Sequence, residues 1–316
     1  MKILILGSGG VFGQNLAQYA MAYGHTVWGI GRSPQKAECF TLGIKYPYFP
    51  YHLAYELDYV LDVVRKFGPD VIVNFAAQGE GAASWSKDNW RFYNTNCVAL
   101  VRLVANIDCP FIQIGSSEVY GSVNAPVDEQ ALTNPSSPYA VSKLAFDQHL
   151  LLMHRTKGLP YKVIRPSNCY APGQQLHRII PKALLSGLYR RPLELHGGGV
   201  AKKSYLHARD LSSAVILVHE KGSYGQVYNV GPDDPTSIKD VVGMCLNEGG
   251  GSWDELVKVS QERTGQDSCY WLNSDKIKAL GWKQTIGWKE GLASMMDWLI
   301  TYPELKHYPT DYVMRA

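Results

Sequence analysis

Three glycines at spacings of three, directly behind a short apolar run, constrain this chain more than any other feature. Ile3-Leu4-Ile5-Leu6 reads as a buried strand, and Gly7-Ser8-Gly9-Gly10-Val11-Phe12-Gly13 follows at once, opening a helix expected over 11–23. A turn this tight needs a residue without Cβ, and a backbone that approaches a pyrophosphate has no room for one. The first helical amides then point at the anion. Gly7, Gly10 and Gly13 meet these needs as a dinucleotide-binding turn, although alone they also fit a structural turn. No Gly-Lys-Ser/Thr follows, which argues against a nucleoside-triphosphate loop.

Beyond the turn, apolar runs alternate with helical spacings. His25–Ile30 reads as a strand, and Leu57, Val60, Leu61, Val64 and Phe67 follow helical spacing. Val71-Ile72-Val73 is another buried run, followed by a helix over Trp90–Ile107, a strand over Phe111–Ile114, a helix over Tyr139–His154 and a strand over Tyr161–Ile164. Strands that are apolar throughout, alternating with helices, predict an α/β fold with a doubly wound parallel sheet covered on both faces. After Pro166 the pattern loosens. Core-like stretches remain near Asp210–His219 and Val227–Val230, between segments rich in Pro and Gly such as Ala171–Gln175 and Gly197–Gly199. A closing helix carries Trp288, Leu292, Met295, Met296 and Leu299 on one side. The expected organisation is a nucleotide-binding domain over 1–165 and a smaller, entwined C-terminal substrate lobe over 166–316, with 204–232 returning to the first core.

Composition narrows the class. With 316 residues, 46% hydrophobic and 19% charged, the chain can bury a sizeable core, which excludes a disordered tail or a disulfide-stapled miniprotein. A net charge of +3 and the lack of a basic stripe give no reason to expect a nucleic-acid partner. No segment approaches the roughly 18 apolar residues of a membrane helix, and the opening run, broken by Gly7, is too short for a signal peptide. Cys39, Cys97, Cys109, Cys169, Cys245 and Cys269 lie far apart without a CxxC pair, as expected of reduced, mostly buried thiols in a cytoplasmic protein. The nine histidines form no HExxH, so no protein-held metal is expected.

The second strand runs into Gly31-Arg32-Ser33, with Lys36 beyond. An acidic residue at that place accepts hydrogen bonds from a ribose 2′-hydroxyl, whereas an arginine accommodates a 2′-phosphate. No carboxylate stands there, so Arg32 and Ser33 favour NADP over NAD; an exposed basic loop is the plain alternative.

Tyr139 and Lys143, in Pro138-Tyr139-Ala140-Val141-Ser142-Lys143, are one helical turn apart on one face. A tyrosine with its ordinary pKa of about 10 is no base near neutrality. A nearby ammonium and an oxidised nicotinamide would favour the phenolate. Upstream, Gly115-Ser116-Ser117-Glu118-Val119-Tyr120-Gly121 follows a strand, which puts a hydroxyl and a carboxylate where open α/β sheets bind ligands. Each pattern alone also occurs as a surface pair or a serine-rich turn; their order on strand, turn and helix joins them.

With these residues in place, nearly the whole sequence resembles the extended short-chain dehydrogenase/reductases that modify nucleotide sugars. Gly7, Gly10 and Gly13 match the family's cofactor turn, Ala76-Ala77 its fourth strand end, and Ser116, Tyr139 and Lys143 its catalytic triad. Arg165-Pro166-Ser167-Asn168-Cys169-Tyr170 is similar to the segment that passes the nicotinamide and opens the sugar-nucleotide site. Tyr228-Asn229-Val230-Gly231 and Leu280-Gly281-Trp282 recur in the same group. The resemblance implies a Rossmann domain with a small substrate domain, NAD(P) as cofactor and a nucleoside-diphosphate sugar as substrate. It also implies a homodimer joined through two helices per subunit, here Trp90–Ile107 and Tyr139–His154. Ala76, Pro166, Tyr139 and Lys143 would contact the cofactor, and Asn168, Arg178, His196, Lys203 and Arg263 fall where the family contacts diphosphate, base or sugar. Each of those five is also an ordinary surface polar residue by type.

Some positions depart from the pattern. Leu53 stands where many members carry an aspartate, Glu80 replaces a frequent histidine, and Cys97-Val98 replaces a small Gly-Thr step. Lys203 replaces an arginine, supplying charge without a bidentate fork.

Ser116-Ser117-Glu118 resembles the Thr-Ser-Glu run of GDP-mannose 4,6-dehydratases; Gln78 with Ser84-Trp85 adds to the likeness, and Arg32 fits a branch that uses NADP. In that reading Tyr139 takes the proton of the sugar 4-hydroxyl while Ser116 hydrogen-bonds its oxygen. Glu118 removes a C5 proton acidified by the 4-keto group. Ser117 stands where dTDP-glucose dehydratases carry an acidic aspartate, which leaves Glu118 or water to protonate the leaving group. Epimerase, 4-keto-sugar reductase and decarboxylase remain as alternatives within the family. A non-catalytic dinucleotide sensor is the alternative of another class, although such proteins often lose the tyrosine or lysine present here.

Overall fold

Ile3, Leu4, Ile5 and Leu6 are all buried because β1 (Lys2–Leu6) runs through the middle of a seven-stranded sheet. The computed structural model describes residues 1–34, 36–261 and 267–311. Parallel to β1 on one side lies β2 (Thr26–Ile30), followed by β3 (Tyr48–Phe49). On the other side lie β4 (Val71–Asn74), β5 (Phe111–Ile114), β6 (Tyr161–Pro166) and the strand Gln226–Val230, all parallel. The strand order reverses between β1 and β4, so the crevice beyond their C-terminal ends is where a doubly wound sheet takes its ligand. The fold is a Rossmann-like α/β sandwich.

Alternate residues of β1 supply two cores. Ile3 and Ile5 pack with Val71, Val73 and Ile112 beneath α1 (Val11–Ala22) and the helix Ala208–Lys221. Leu4 and Leu6 pack with Ile72 and Phe111 beneath the helices Leu57–Phe67 and Pro138–Lys157. Each fully buried side chain of this size contributes about 1.5–3 kcal/mol, and cover on both faces explains the unbroken apolar runs.

The helix expected over Trp90–Ile107 differs. It runs as an α segment Trp90–Tyr93, a π segment Asn94–Val98 and an α segment Ala99–Val104, ending short of Ile107. The wider turn brings the polar Asn96 side chain fully inside the protein. The helix Pro138–Lys157 is longer than its expected span Tyr139–His154. Ser137 caps it by accepting from the Ala140 amide, Pro138 opens it, and Gly158 closes it at φ +69°. The thiols also differ: all six are free, but only Cys39 and Cys245 are buried, while the other four are half-buried.

A third core joins the helices Ile179–Tyr189, Ile238–Glu248 and Trp288–Thr301 through Leu184, Val242, Leu246, Met295 and Leu299. Chain crossings tie it to the sheet. Cys39, from the first half, packs into this third core, and its carbonyl accepts from the Trp298 indole at 2.6 Å. Ile277 and Trp282, from the second half, pack under the sheet.

A Cβ at Gly13 would lie 2.7 Å from the Gly7 carbonyl oxygen and 2.7 Å from Ser8 Cα, whereas one at Gly243, inside a helix, meets nothing within 4 Å. Urea unfolding is expected to show Gly13→Ala destabilised by about 1–3 kcal/mol and Gly243→Ala stabilised by about 0.5–1 kcal/mol. Equal responses would contradict this packing of α1 on the turn.

Candidate active site

The glycine turn forms a cradle. Gly7 carries φ +75°, and a Cβ there would sit 2.5 Å from the Ala76 amide nitrogen at the end of β4. Gly10 caps α1 without any side-chain hydrogen bond, so the first-turn amides keep their donor capacity for a ligand. A close-packed turn without side chains, at an uncapped helix start, fits a dinucleotide pyrophosphate. Arg32 is exposed just past β2, near enough to His52 that its charge joins burial in lowering that imidazole's pKa. The Ser33 carbonyl accepts from the Tyr48 hydroxyl at 2.6 Å.

Beyond β5, Ser116 caps the short helix Ser117–Tyr120 by accepting from the Glu118 amide at 3.2 Å. Ser117 is buried within the same turn. The Lys143 ammonium, 3% exposed, donates to the Ile114 carbonyl at 2.6 Å, tying its helix to the end of β5. Tyr139 and Ser116 are thereby brought within hydrogen-bond reach. Burial pushes the Tyr139 phenol above its ordinary value and the Glu118 charge adds to the push, while the Ser116 hydrogen bond and Arg178 oppose it. Burial lowers Lys143 to about 8 against the pull of Asp147. Asp147 in turn pairs with Arg165 at 3.1 Å, and Arg165 donates to the Tyr120 hydroxyl at 2.9 Å.

Glu118 lies in the same crevice, its Oε2 3.2 Å from where a Gly81 Cβ would stand. Burial raises its carboxyl to about 7; Lys203 and Arg178 oppose the rise, and Asp267 and Glu80 add to it. Lys203 is buried, donates to the Asp267 carbonyl at 2.7 Å and sits 3.3 Å from the centre of the Tyr270 ring. Arg178 pairs with Glu80 at 3.0 Å, so the residue that replaces a frequent histidine anchors a cation at the site. The structure therefore gathers Ser116, Tyr139, Glu118, Arg178 and Lys203.

The other expected residues are placed differently. Gln78 is held through its backbone by Asn96, and Ser84 is wholly buried with its hydroxyl on the Gly81 carbonyl at 2.6 Å, bracing that loop. The Asn168 amide donates to the Ser204 carbonyl beside the strand Tyr205–His207, and Pro166 ends β6 opposite Val230. His196 is engaged on the lobe by the Gln261 carbonyl at 3.1 Å and Ser260 at 3.0 Å. Arg263 lies outside the described residues.

The sequence matches the NAD dependent epimerase/dehydratase family over residues 3–231. The chain belongs to that family. It is 32% identical over 235 residues to a dTDP-glucose 4,6-dehydratase of Streptomyces antibioticus, covering 72% of this chain and 70% of the relative. It is 31% identical over 261 residues, 78% of this chain, to a trifunctional UDP-glucose 4,6-dehydratase/3,5-epimerase/reductase of Arabidopsis thaliana. The chain spans between 36% and 38% of the length of that protein and two similar Arabidopsis relatives. Among solved structures, DesIV, a dTDP-glucose 4,6-dehydratase from Streptomyces venezuelae with NAD and TYD bound, superposes with a TM-score of 0.90 at 24% identity, covering 96% of this chain and 98% of that one. A Thermus thermophilus UDP-glucose 4-epimerase with NAD superposes at 0.88 with 23% identity, covering 95% and 99%. These two likenesses establish the fold.

As a member of the epimerase/dehydratase family, the chain carries supporting residues that the sequence reading missed. Asp147 continues the row of Tyr139 and Lys143 by one more turn, and that spacing was the available signal. Asp267 accepts from Ser122 and Tyr270, each at 2.7 Å, and also from Ser136; nothing local in the sequence marks it. Among the described residues, no helix is long and apolar enough to cross a membrane, and no group of three His, Cys, Asp or Glu is arranged to hold a metal ion.

Asn96 accepts from the Gln78 amide at 2.9 Å and donates to the Gln78 carbonyl at 3.1 Å and to Ser142 at 2.9 Å. Asn96→Ala strands those groups in the interior and is expected to cost at least about 1–3 kcal/mol. An unchanged denaturant midpoint would show that Asn96 does not hold the Gln78 loop.

Proposed function

We propose that this chain is an NAD(P)-dependent nucleoside-diphosphate-hexose 4,6-dehydratase with Glu118 as the C5 base. What carries the reading is the placement of the Glu118 carboxyl in one crevice with Tyr139, Lys203 and Arg178, where loss of hydration raises it to about 7. A base poised near neutrality suits abstraction of a proton beside a carbonyl. Epimerisation at C4 alone gives such a carboxylate no task.

Tyr139 takes the proton of the sugar 4-hydroxyl, and Ser116 hydrogen-bonds the same oxygen. Lys143 holds the tyrosine's helix against β5 and supplies the positive charge that favours the phenolate. The glycine turn would hold the pyrophosphate of a bound dinucleotide and Ala76 and Pro166 its nicotinamide, which would supply the hydride acceptor for C4 and the hydride donor for C6. Glu118 draws the C5 proton and passes it to the C6 hydroxyl, which departs as water, Ser117 having none of an aspartate's acidity; as hydride reaches C6, C5 takes up a proton from solvent through Glu118. Net change is loss of one water, leaving a 4-keto-6-deoxy sugar. Lys203, Arg178 and Asn168 are assigned to the substrate diphosphate, Lys203 contributing charge without a fork. Gln78, Ser84, His196 and Arg263 complete the proposed substrate shell, with Ser84 acting through the loop it braces.

Arg32, and the lack of a carboxylate beside it, favour NADP over NAD. A homodimer is proposed through the helices that begin at Trp90 and Pro138, which expose Trp90, Val98, Val141 and Leu152. Sedimentation at micromolar concentration is expected to show two chains, and a single-chain particle would overturn the dimer.

Incubation with a panel of nucleotide sugars, read by mass spectrometry, is expected to show loss of one water; an unchanged mass or a gain of two hydrogens would replace dehydration with epimerisation or reduction. Because Glu118 works ionised, deuterium incorporation from solvent at C5 should fall as pH drops through about 7. Glu118→Gln should abolish it, and persistent exchange in that variant removes Glu118 as the base.

A further inference from the structure

At the end of β2, where an acidic side chain would grip a ribose, the structure places a tyrosine from the neighbouring strand. Gly29 pairs with Tyr48 and Ile30 with Phe49, and the Gly31 amide donates to the Phe49 carbonyl at 3.1 Å. From its place opposite Gly29, the Tyr48 ring reaches with its hydroxyl end to Gly31. A Cβ built on Gly31 would lie 2.5 Å from the Tyr48 hydroxyl oxygen, and one on Gly9 would lie 2.9 Å from it. Gly31 lies outside the left-handed region, so its backbone accepts any residue and the Tyr48 ring is its main steric barrier.

We propose that Tyr48 is a specificity-determining residue for the cofactor: it fills the acid's place and fixes the loop that reads the 2′-substituent. The inference rests on the cofactor reading above. Its hydroxyl donates to the Ser33 carbonyl at 2.6 Å, tying the loop that carries Arg32 to β3. Burial pushes the phenol to about 12, so this tether stays a neutral donor across the working pH range. Beside the ring lies a shallow pocket lined by Gly9, Gln14, Lys36, Thr41 and Tyr46, which brings a cation and polar groups but no carboxylate. Removing an acid and adding a cation favours a phosphate over a bare hydroxyl at that point.

The test is the ratio of NAD to NADP dissociation constants, measured by calorimetry on the full chain without substrate. Tyr48→Phe keeps the packed ring and loses only the tether; the ratio should fall about three- to tenfold, the equivalent of one hydrogen bond. Gly31→Asp alone should weaken both cofactors, because the new side chain collides with Tyr48. Gly31→Asp with Tyr48→Ala should bind NAD in preference to NADP. The proposal is overturned if Gly31→Asp alone inverts the preference as fully as the double variant, or if Tyr48→Phe leaves the ratio unchanged. A wild-type chain that prefers NAD sinks the cofactor reading instead, and the ratios across the series still decide the role of Tyr48.

Discussion

A single buried ammonium holds the catalytic half of this crevice together. Lys143 reaches from the helix Pro138–Lys157 to the last carbonyl of β5, and one turn earlier on the same helix Tyr139 faces Ser116. An isolated buried charge is costly, by several kcal/mol even after relaxation. Asp147, one turn further along, offsets part of that cost; Asp147 also pairs with Arg165 on β6, and Tyr120 bridges Arg165 to Asn229 at 2.9 Å. The network therefore crosses from the helix Pro138–Lys157 through β6 and the short helix Ser117–Tyr120 to Gln226–Val230, the strand that the second half of the chain returns to the sheet. Catalytic geometry and sheet assembly depend on the same charges.

The opposite wall works by field rather than by contact. Glu118 loses hydration in the crevice, which raises it, and Lys203 and Arg178 limit the rise to about 7. Tyr139, beside it, is pushed up by burial and by the Glu118 charge. The two acids are thus coupled: an ionised Glu118 holds the tyrosine protonated, and a neutral Glu118 eases its ionisation. In the proposed sequence of steps, the Tyr139 phenolate takes up a proton first and the Glu118 carboxylate takes one second. The field of Glu118 thus links the two proton transfers.

Much of this was legible in the chain because the legible parts are local. A glycine turn behind β1, a Tyr–Lys pair one helical turn apart, and a serine–glutamate turn behind β5 each declare themselves within a few residues. The positions that escaped are defined across the fold. Asn96 acts only because a π turn rotates it inward, and helical periodicity does not foretell such a turn. Asp267 acquires its role from Ser122 and Ser136, more than a hundred residues away in sequence. Tyr48 matters through strand register, which the two-residue β3 does not announce. Ser84 was legible as a motif member, yet its hydroxyl is committed to its own loop.

Entwining of the two halves follows from what each lacks. The sheet's face beneath α1 is completed by Ala208–Lys221, and Ile277 and Trp282 close it, so the first half alone would leave part of that face uncovered. The lobe core likewise takes Cys39 from the segment just after β2 and locks it with the Trp298 indole. That segment also follows Arg32 and Lys36, the cations proposed for the cofactor's ribose. The lobe carrying Lys203 and Arg178 is therefore tied, through Cys39, to the loop proposed to read the dinucleotide. The substrate and cofactor ends of the crevice share one packed frame, so neither can shift far without disturbing the core that supports the other.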